Sequence, residues 1–375
     1  MGLTSNKVLV LAVTLAVLLF VGTVLLWPRL ARRGWRAVSG RIGLLFATQL
    51  TVFASVALAS NQEFGFYASW ADLFGQEKEQ GLVVDHGAGG ASGDPLQVIS
   101  AQRVSVQGGA RKEVGGQIQK VDIVGPSTHI ATHAYVYLPP EYFQPQYRTH
   151  TFPAAVVLTG YPGTAEALIT GLQYPQRAHD LAKSGKMQPM ILVMMRPTVA
   201  PPRDTECVDV PGGPQTESFF AKDLPGTITS HYRVGKRPGS WGVIGDSTGG
   251  YCALKLAMHH PDVYAAGAGL SPYYKAPIDP TTGDLFRKNK DLQNRADLMW
   301  CVNHLPASDT SLLVSSSRVG ENNYKATQKF IQQVQTKKPT RISSIILDSG
   351  GHNYNTWRRE IPAALQWLSE RLSDR

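Results

Sequence analysis

Two long apolar runs open the chain, and a different pattern takes over after them. Residues 8–27 carry no charged side chain, and a helix of that length, rising 1.5 Å per residue, crosses a bilayer core of about 30 Å. Residues 42–60 form a second, weaker run, interrupted by Gln49 and several small residues. Residues 85–94 (DHGAGGASGD) are glycine and small polar side chains, which predicts a linker. Beyond residue 95, short runs rich in β-branched and aromatic residues alternate with helical periodicity. Residues 96–106, 117–124 and 131–138 read as strands at an antiparallel edge. Residues 154–159, 190–195, 240–244, 265–270, 312–317 and 342–347 read as parallel strands separated by helices. Such alternation predicts one mostly parallel, doubly wound α/β domain over residues 95–375. Its last helix, 357–372, carries Trp357, Ile361, Leu365, Leu368 and Leu372 on one stripe. No internal repeat is visible.

Charge sharpens the division at the N-terminus. The formal net charge is +9, yet residues 1–60 hold Lys7, Arg29, Arg32, Arg33, Arg36 and Arg41 with no acid, leaving only +3 for the rest. Five of those cations lie between the two apolar runs, so the positive-inside rule places that loop in the cytoplasm. The expectation is a two-pass anchor over residues 1–60, with spans at about 8–27 and 42–60 and the folded domain outside the cytoplasm. A cleaved signal peptide fits less well, because Trp27-Pro28-Arg29 is not a small-residue cleavage site. Residues 61–94 form a juxtamembrane segment in which Phe64, Phe66, Tyr67, Trp70, Leu73 and Phe74 suit a membrane interface. No basic stripe interleaved with aromatics points to nucleic acid.

Candidate chemistry centres on Gly245-Asp246-Ser247-Thr248-Gly249, which lies between a strand-like and a helix-like run. A G-x-S-x-G turn between strand and helix forces its serine into a cramped backbone at the tip of a sharp bend, with Gly245 and Gly249 removing the clashes. A serine nucleophile needs a histidine base and a carboxylate that orients it. His352, in SGGH just beyond the strand at 342–347, is the candidate base; His259 and His260 are expected to cap the exposed end of the helix after Ser247. Glu321, just beyond the strand at 311–317, is the candidate acid. Asp309 precedes that strand, and Asp348 is too near His352 in sequence. Backbone N–H groups of Thr248 and Tyr161, the latter in the GYPG turn after residues 154–159, are candidate oxyanion donors.

Together, LTGYPG at 158–163, ESFFAKDLP at 217–225, GDSTGGYCALKLAMHHP at 245–261 and SGGHNYNTW at 349–357 resemble the putative esterase family of the α/β-hydrolase superfamily. That group includes S-formylglutathione hydrolases and mycolyltransferases, and the membrane-anchored actinobacterial type is the nearest likeness. The resemblance covers the chain from about residue 121 onward. It implies Ser247 as nucleophile, Glu321 as acid, His352 as base, Tyr161 and Thr248 as oxyanion donors, and no cofactor. The loop before Glu321 is short for the family.

Three cysteines, Cys207, Cys252 and Cys301, allow one disulfide and leave one thiol. Cys207 and Cys252 both border the expected site, which favours their pairing. No Cys/His spacing matches a zinc site, so no metal is expected. Asp204, Glu206 and Asp209 cluster around Cys207, as in a solvated loop. Residues 273–305 are poorly periodic, and Tyr273, Tyr274, Phe286 and Trp300 are candidate pocket walls. The reading is a membrane-anchored serine esterase whose partners are an ester or acyl donor, lipid or glycolipid included, and the bilayer. Acyl transfer to a sugar or lipid hydroxyl, as in mycolyltransferases, is the first alternative. A catalytically silent α/β-hydrolase domain with a structural or binding role is the second.

Overall fold

In the computed structural model, residues 5–64, 94–199 and 203–373 are described, and the chain divides into two compact units, Met1–Gln80 and Gly81–Arg375. The aromatic segment and glycine linker expected at 61–94 therefore lie mostly outside the described residues.

The first unit is a pair of helices, α1 (Asn6–Leu30) and α2 (Trp35–Phe64), both long and apolar enough to cross a membrane. Each extends past its apolar run. Helix α1 continues through Pro28 into its last turn, and the turn between the helices falls at Gly34, whose φ of +148° suits a residue without Cβ. The side chain of Ser5 caps α1 by accepting the Lys7 N–H. Thr23 and Thr48 hydroxyls meet at 3.1 Å between the two helices, while Leu18, Phe46 and Phe53 face outward.

The second unit is built on a nine-stranded sheet in the order β1-β2-β3-β5-β4-β6-β7-β8-β9. Its strands are β1 (Leu96–Arg103), β2 (Gln117–Val124), β3 (Ala131–Leu138), β4 (Ala154–Leu158), β5 (Ile191–Met195), β6 (Trp241–Asp246), β7 (Ala266–Leu270), β8 (Ser311–Val319) and β9 (Arg341–Ser349). The β1–β2, β2–β3 and β3–β5 pairs are antiparallel and the others parallel. All nine strands fall where alternation predicts them. This is the α/β-hydrolase arrangement.

The central strands read as unbroken apolar runs because both faces are covered. Ala154, Val156 and Leu158 of β4 face a core that includes Leu254, Leu256 and Phe330. Ala155 and Val157 face the opposite core, with Tyr174, Trp357 and Leu365. The first face is covered by α4 (Thr248–His259) and α5 (Tyr324–Gln335), and the second by α3 (Tyr174–Lys183) and α6 (Tyr354–Ser369). Helix α6 starts three residues before its predicted start, because Asn353 accepts the Thr356 N–H and caps it.

Candidate active site

Strand β6 ends at Asp246 and α4 begins at Thr248, so Ser247 alone makes the turn, with φ 53° and ψ −118°. That strained backbone is held by the Ser247 N–H donating to Leu270 O at 2.9 Å, on the neighbouring strand. Glycine is required around it. A Cβ on Gly249 would lie 2.2 Å from Leu158 O, and one on Gly245 would lie 2.6 Å from the same oxygen.

His352 lies in the loop between β9 and α6, and its Nε2 is 2.8 Å from Ser247 Oγ. Its ring packs edge-on against Trp357, centroids 5.1 Å apart. The imidazole is exposed at its rim but crowded enough that burial pushes its pKa below the usual histidine value. At neutral pH the imidazole is therefore unprotonated, as proton abstraction from a serine hydroxyl would require.

Glu321 stands just past β8, where the sequence puts it, and is buried. Its carboxylate is taken up by serines: Ser271 Oγ donates to Oε1, Ser316 Oγ to Oε2 at 3.2 Å, and the Ser317 backbone also contributes. Burial raises its pKa, and those donors oppose the rise. Among the described residues, His352 Nδ1 has no hydrogen-bond partner, so this arrangement does not join Glu321 to His352 directly. The loops that carry Glu321 and His352 nevertheless abut, since a Cβ on Gly320 would lie 2.3 Å from Gly350 O.

Thr248 is the first residue of α4, so its N–H has no carbonyl four residues back and sits at the positive end of the helix. Tyr161 lies in the turn closed by Gly163 N–H donating to Gly160 O at 2.8 Å. A Cβ on Gly160 would lie 2.9 Å from Ser247 Cβ, so this turn lies directly against Ser247.

The candidate pocket walls separate. Tyr274 stacks on Phe330, donates to Thr327 Oγ1 at 2.9 Å and belongs with Phe286 to the core. Trp300 stacks on His304 of its own short helix. Only Tyr273 reaches the elbow: its hydroxyl hydrogen bonds with the Thr248 side chain and donates to Glu206.

The expected solvated acidic loop is largely buried. Asp204 and Glu206 are 2% and 1% exposed, and burial pushes them up to about 6 and about 8. Asp209 instead accepts from Ser218 N and Oγ. A Cys207–Cys252 disulfide, Cα atoms 5.7 Å apart, binds the loop to α4, as the sequence favoured, and Cys301 is a buried free thiol. Lys255 donates to Cys207 O and, at 2.6 Å, to Glu217 Oε2. Glu217 also bonds His259 and His260, so these two histidines do not cap an exposed helix end: the His259 side chain is fully buried. Thr248, Tyr251, Cys252, Lys255 and His259 thus form one stripe of α4 at helical spacing. Lys255 and the Cys252 disulfide tie this stripe to the loop at Cys207, where hydropathy alone shows only an apolar helix. No cluster of metal-ligating side chains occurs among the described residues.

A family model described as Putative esterase matches residues 126–368. The chain belongs to this family. The chain is 23% identical to an uncharacterized protein of Corynebacterium glutamicum over 272 residues, 69% of this chain and 63% of that one. It therefore spans less than two thirds of that relative's length. Solved structures share the fold. An S-formylglutathione hydrolase from Agrobacterium tumefaciens matches with TM-score 0.58 and 17% identity, over 74% of this chain and 99% of that one. A ferulic acid esterase matches at 0.56 and 19%, over 68% and 98%. A fluorophosphonate-binding serine hydrolase of Staphylococcus aureus matches at 0.53 and 14%, over 67% and 98%.

Two residues at this site escape sequence reasoning. Asp246 is fully buried beside Ser247, and Glu360 lies on the core-facing stripe of α6. The available signal was a carboxylate amid apolar neighbours.

Proposed function

We propose that the protein is a membrane-anchored serine esterase that hydrolyses carboxylic esters through an acyl-enzyme, with its catalytic unit outside the cytoplasm. The observation that carries this reading is the 2.8 Å contact between His352 Nε2 and the Oγ of a serine in a strained strand-to-helix turn. His352 takes the hydroxyl proton as Ser247 Oγ attacks the ester carbonyl. The N–H groups of Thr248 and Tyr161 stabilise the oxyanion, and Glu321 supplies the negative charge that favours the imidazolium. His352 then returns the proton to the departing alkoxide, and water releases the acid by the same steps in reverse. Anchoring is supported by α1 and α2, and the outside placement by the five arginines of residues 29–41.

The test uses the full chain purified in mild detergent, assayed for fluorophosphonate labelling and p-nitrophenyl ester turnover. Wild type is expected to label and turn over, with both lost in folded Ser247→Ala and turnover lost in His352→Ala. A folded wild type that does neither, or Ser247→Ala that labels as wild type does, overturns the proposal. Protease protection in sealed vesicles tests the topology.

A further inference from the structure

Beneath His352 lies a buried polar cluster with two carboxyl groups, and the mechanism above uses only one. Glu360 is 0% exposed and Glu321 is 9% exposed. Serines link them. Ser315 Oγ donates to Glu360 Oε2 at 2.7 Å and accepts the Ser271 N–H at 3.0 Å. The Ser271 hydroxyl donates to Glu321 and accepts from Trp357 Nε1 at 2.9 Å, and Trp357 packs against His352. Ser271 is held by these contacts at a φ of +46°, unfavourable for a residue with a Cβ.

The two carboxyls are served unequally. Glu321 receives the Ser271 hydroxyl, a share of the Ser316 hydroxyl, which also donates to Asn323 Oδ1 at 2.7 Å, and a backbone contact, whereas Glu360 receives one hydroxyl and its Oε1 has no partner. Donors aimed at a carboxylate favour its ionised form, and a bare buried oxygen favours the acid. Two neighbouring carboxyls in one low-dielectric pocket cannot both ionise cheaply, so a single proton settles on the poorly served member.

We propose that Glu360 is a positioning residue of the acid site: it holds the cluster's proton, leaves the negative charge on Glu321, and through Ser315 and Ser271 fixes the Glu321 carboxylate and Trp357 beneath His352. This rests on the esterase reading for its effect on turnover, and on the cluster alone for where the proton resides. The electrostatics agree. Burial pushes Glu360 up to about 8, Glu321 from the β8 loop adds to the rise, and Arg359 of its own helix opposes it. Tyr174 faces it from α3 and stays neutral, being raised well above the usual phenol value by burial, Asp246 and Glu360.

Two measurements on the full chain in detergent test this. Difference infrared spectroscopy of wild type against Glu360→Gln, in which the band of the Glu206 carboxyl, also pushed up to about 8, cancels, is expected to show the carbonyl band of one buried protonated carboxylic acid that fades as pH rises through about 8. In a Glu321→Gln background this component titrates at lower pH. Equal carbonyl intensity in wild type and Glu360→Gln overturns the proposal whether or not esters are turned over. In pH profiles, wild type is expected to show an alkaline limb in kcat that Glu360→Gln lacks. At neutral pH that variant stays within about threefold of wild type, and Glu360→Ala loses on the order of tenfold in kcat with KM little changed. An alkaline limb retained in Glu360→Gln, or a loss as deep as that of Glu321→Gln, overturns the positioning role. A band that behaves as expected in a chain that neither labels nor turns over sinks the esterase reading and leaves the carboxyl pair standing.

Discussion

Asp246 Oδ2 accepts the Gly160 N–H at 2.9 Å. The residue before Ser247 thereby holds the turn that carries Tyr161. Removing the acceptor strands a buried N–H, at a cost of about 1–3 kcal/mol, and loosens the turn whose Tyr161 N–H is the proposed oxyanion donor. Asp246→Ala is expected to lower kcat on the order of tenfold with KM nearly unchanged, while Asp246→Asn, which still accepts, stays near wild type. Burial pushes Asp246 up to about 7. A carboxyl whose folded pKa is raised favours the fold most below its unfolded value, and that contribution fades as pH climbs toward about 7. Thermal melts should therefore show wild type losing stability relative to Asp246→Asn between about pH 4 and 7.

The Cys207–Cys252 bridge joins positions 45 residues apart. Cross-links of this kind contribute about 2–4 kcal/mol, so the Cys207→Ser/Cys252→Ser variant should melt about 5–12 °C lower. Burial pushes the Cys301 thiol up to about 12, making it a poor nucleophile. Alkylation should find essentially no reactive thiol in the native protein, one after denaturation and three after denaturation with reduction. A reactive thiol in the native chain would contradict this.

Lys255 is 1% exposed beneath the loop and pairs with Glu217. Burial alone would raise Glu217, but the Lys255 charge and the bonds from His259 and His260 hold it well below the usual carboxylate range. Lys255→Met leaves that carboxylate uncompensated and should cost about 3–5 kcal/mol at neutral pH. Because a depressed carboxylate stabilises above its unfolded pKa and ceases to as pH falls through the folded one, the penalty should shrink in acid. Denaturant titrations at neutral and low pH check both points, and a double variant with Glu217→Gln should recover part of the loss.

Since burial lowers the His352 pKa, the acid limb of kcat/KM should fall below the ordinary histidine value of about 6.5. Glu321→Gln should cut kcat by about 10²–10⁴ while the chain stays folded, because its side chain remains able to accept from one of the two serines. An acid limb above the histidine value would argue that His352 is not the base.

Strands, helices and the elbow were legible in the sequence because period-two and period-3.6 burial are local properties. The glycines at 245 and 249, tightly packed on Leu158 O, marked the bend by residue type alone. His352 followed from a histidine placed just beyond a strand end. The pocket walls were less legible, because Tyr273 and Tyr274 are adjacent and alike in composition, yet one reaches Thr248 and the other stacks in the core on Phe330. Side-chain direction there depends on what packs from residues far along the chain.

By itself the sequence determined the order of elements, the apolar N-terminal helices and the serine and histidine of the candidate site, all set by neighbours a few positions apart. Only the tertiary structure decided which acids are buried, which serines hold Glu321, that Glu360 shares its pocket, and that Lys255 and two histidines converge on Glu217. Those outcomes depend on desolvation and, Ser316 apart, on partners brought together from 38 to 50 residues away, and the free energy of a charge is fixed by what surrounds it in space.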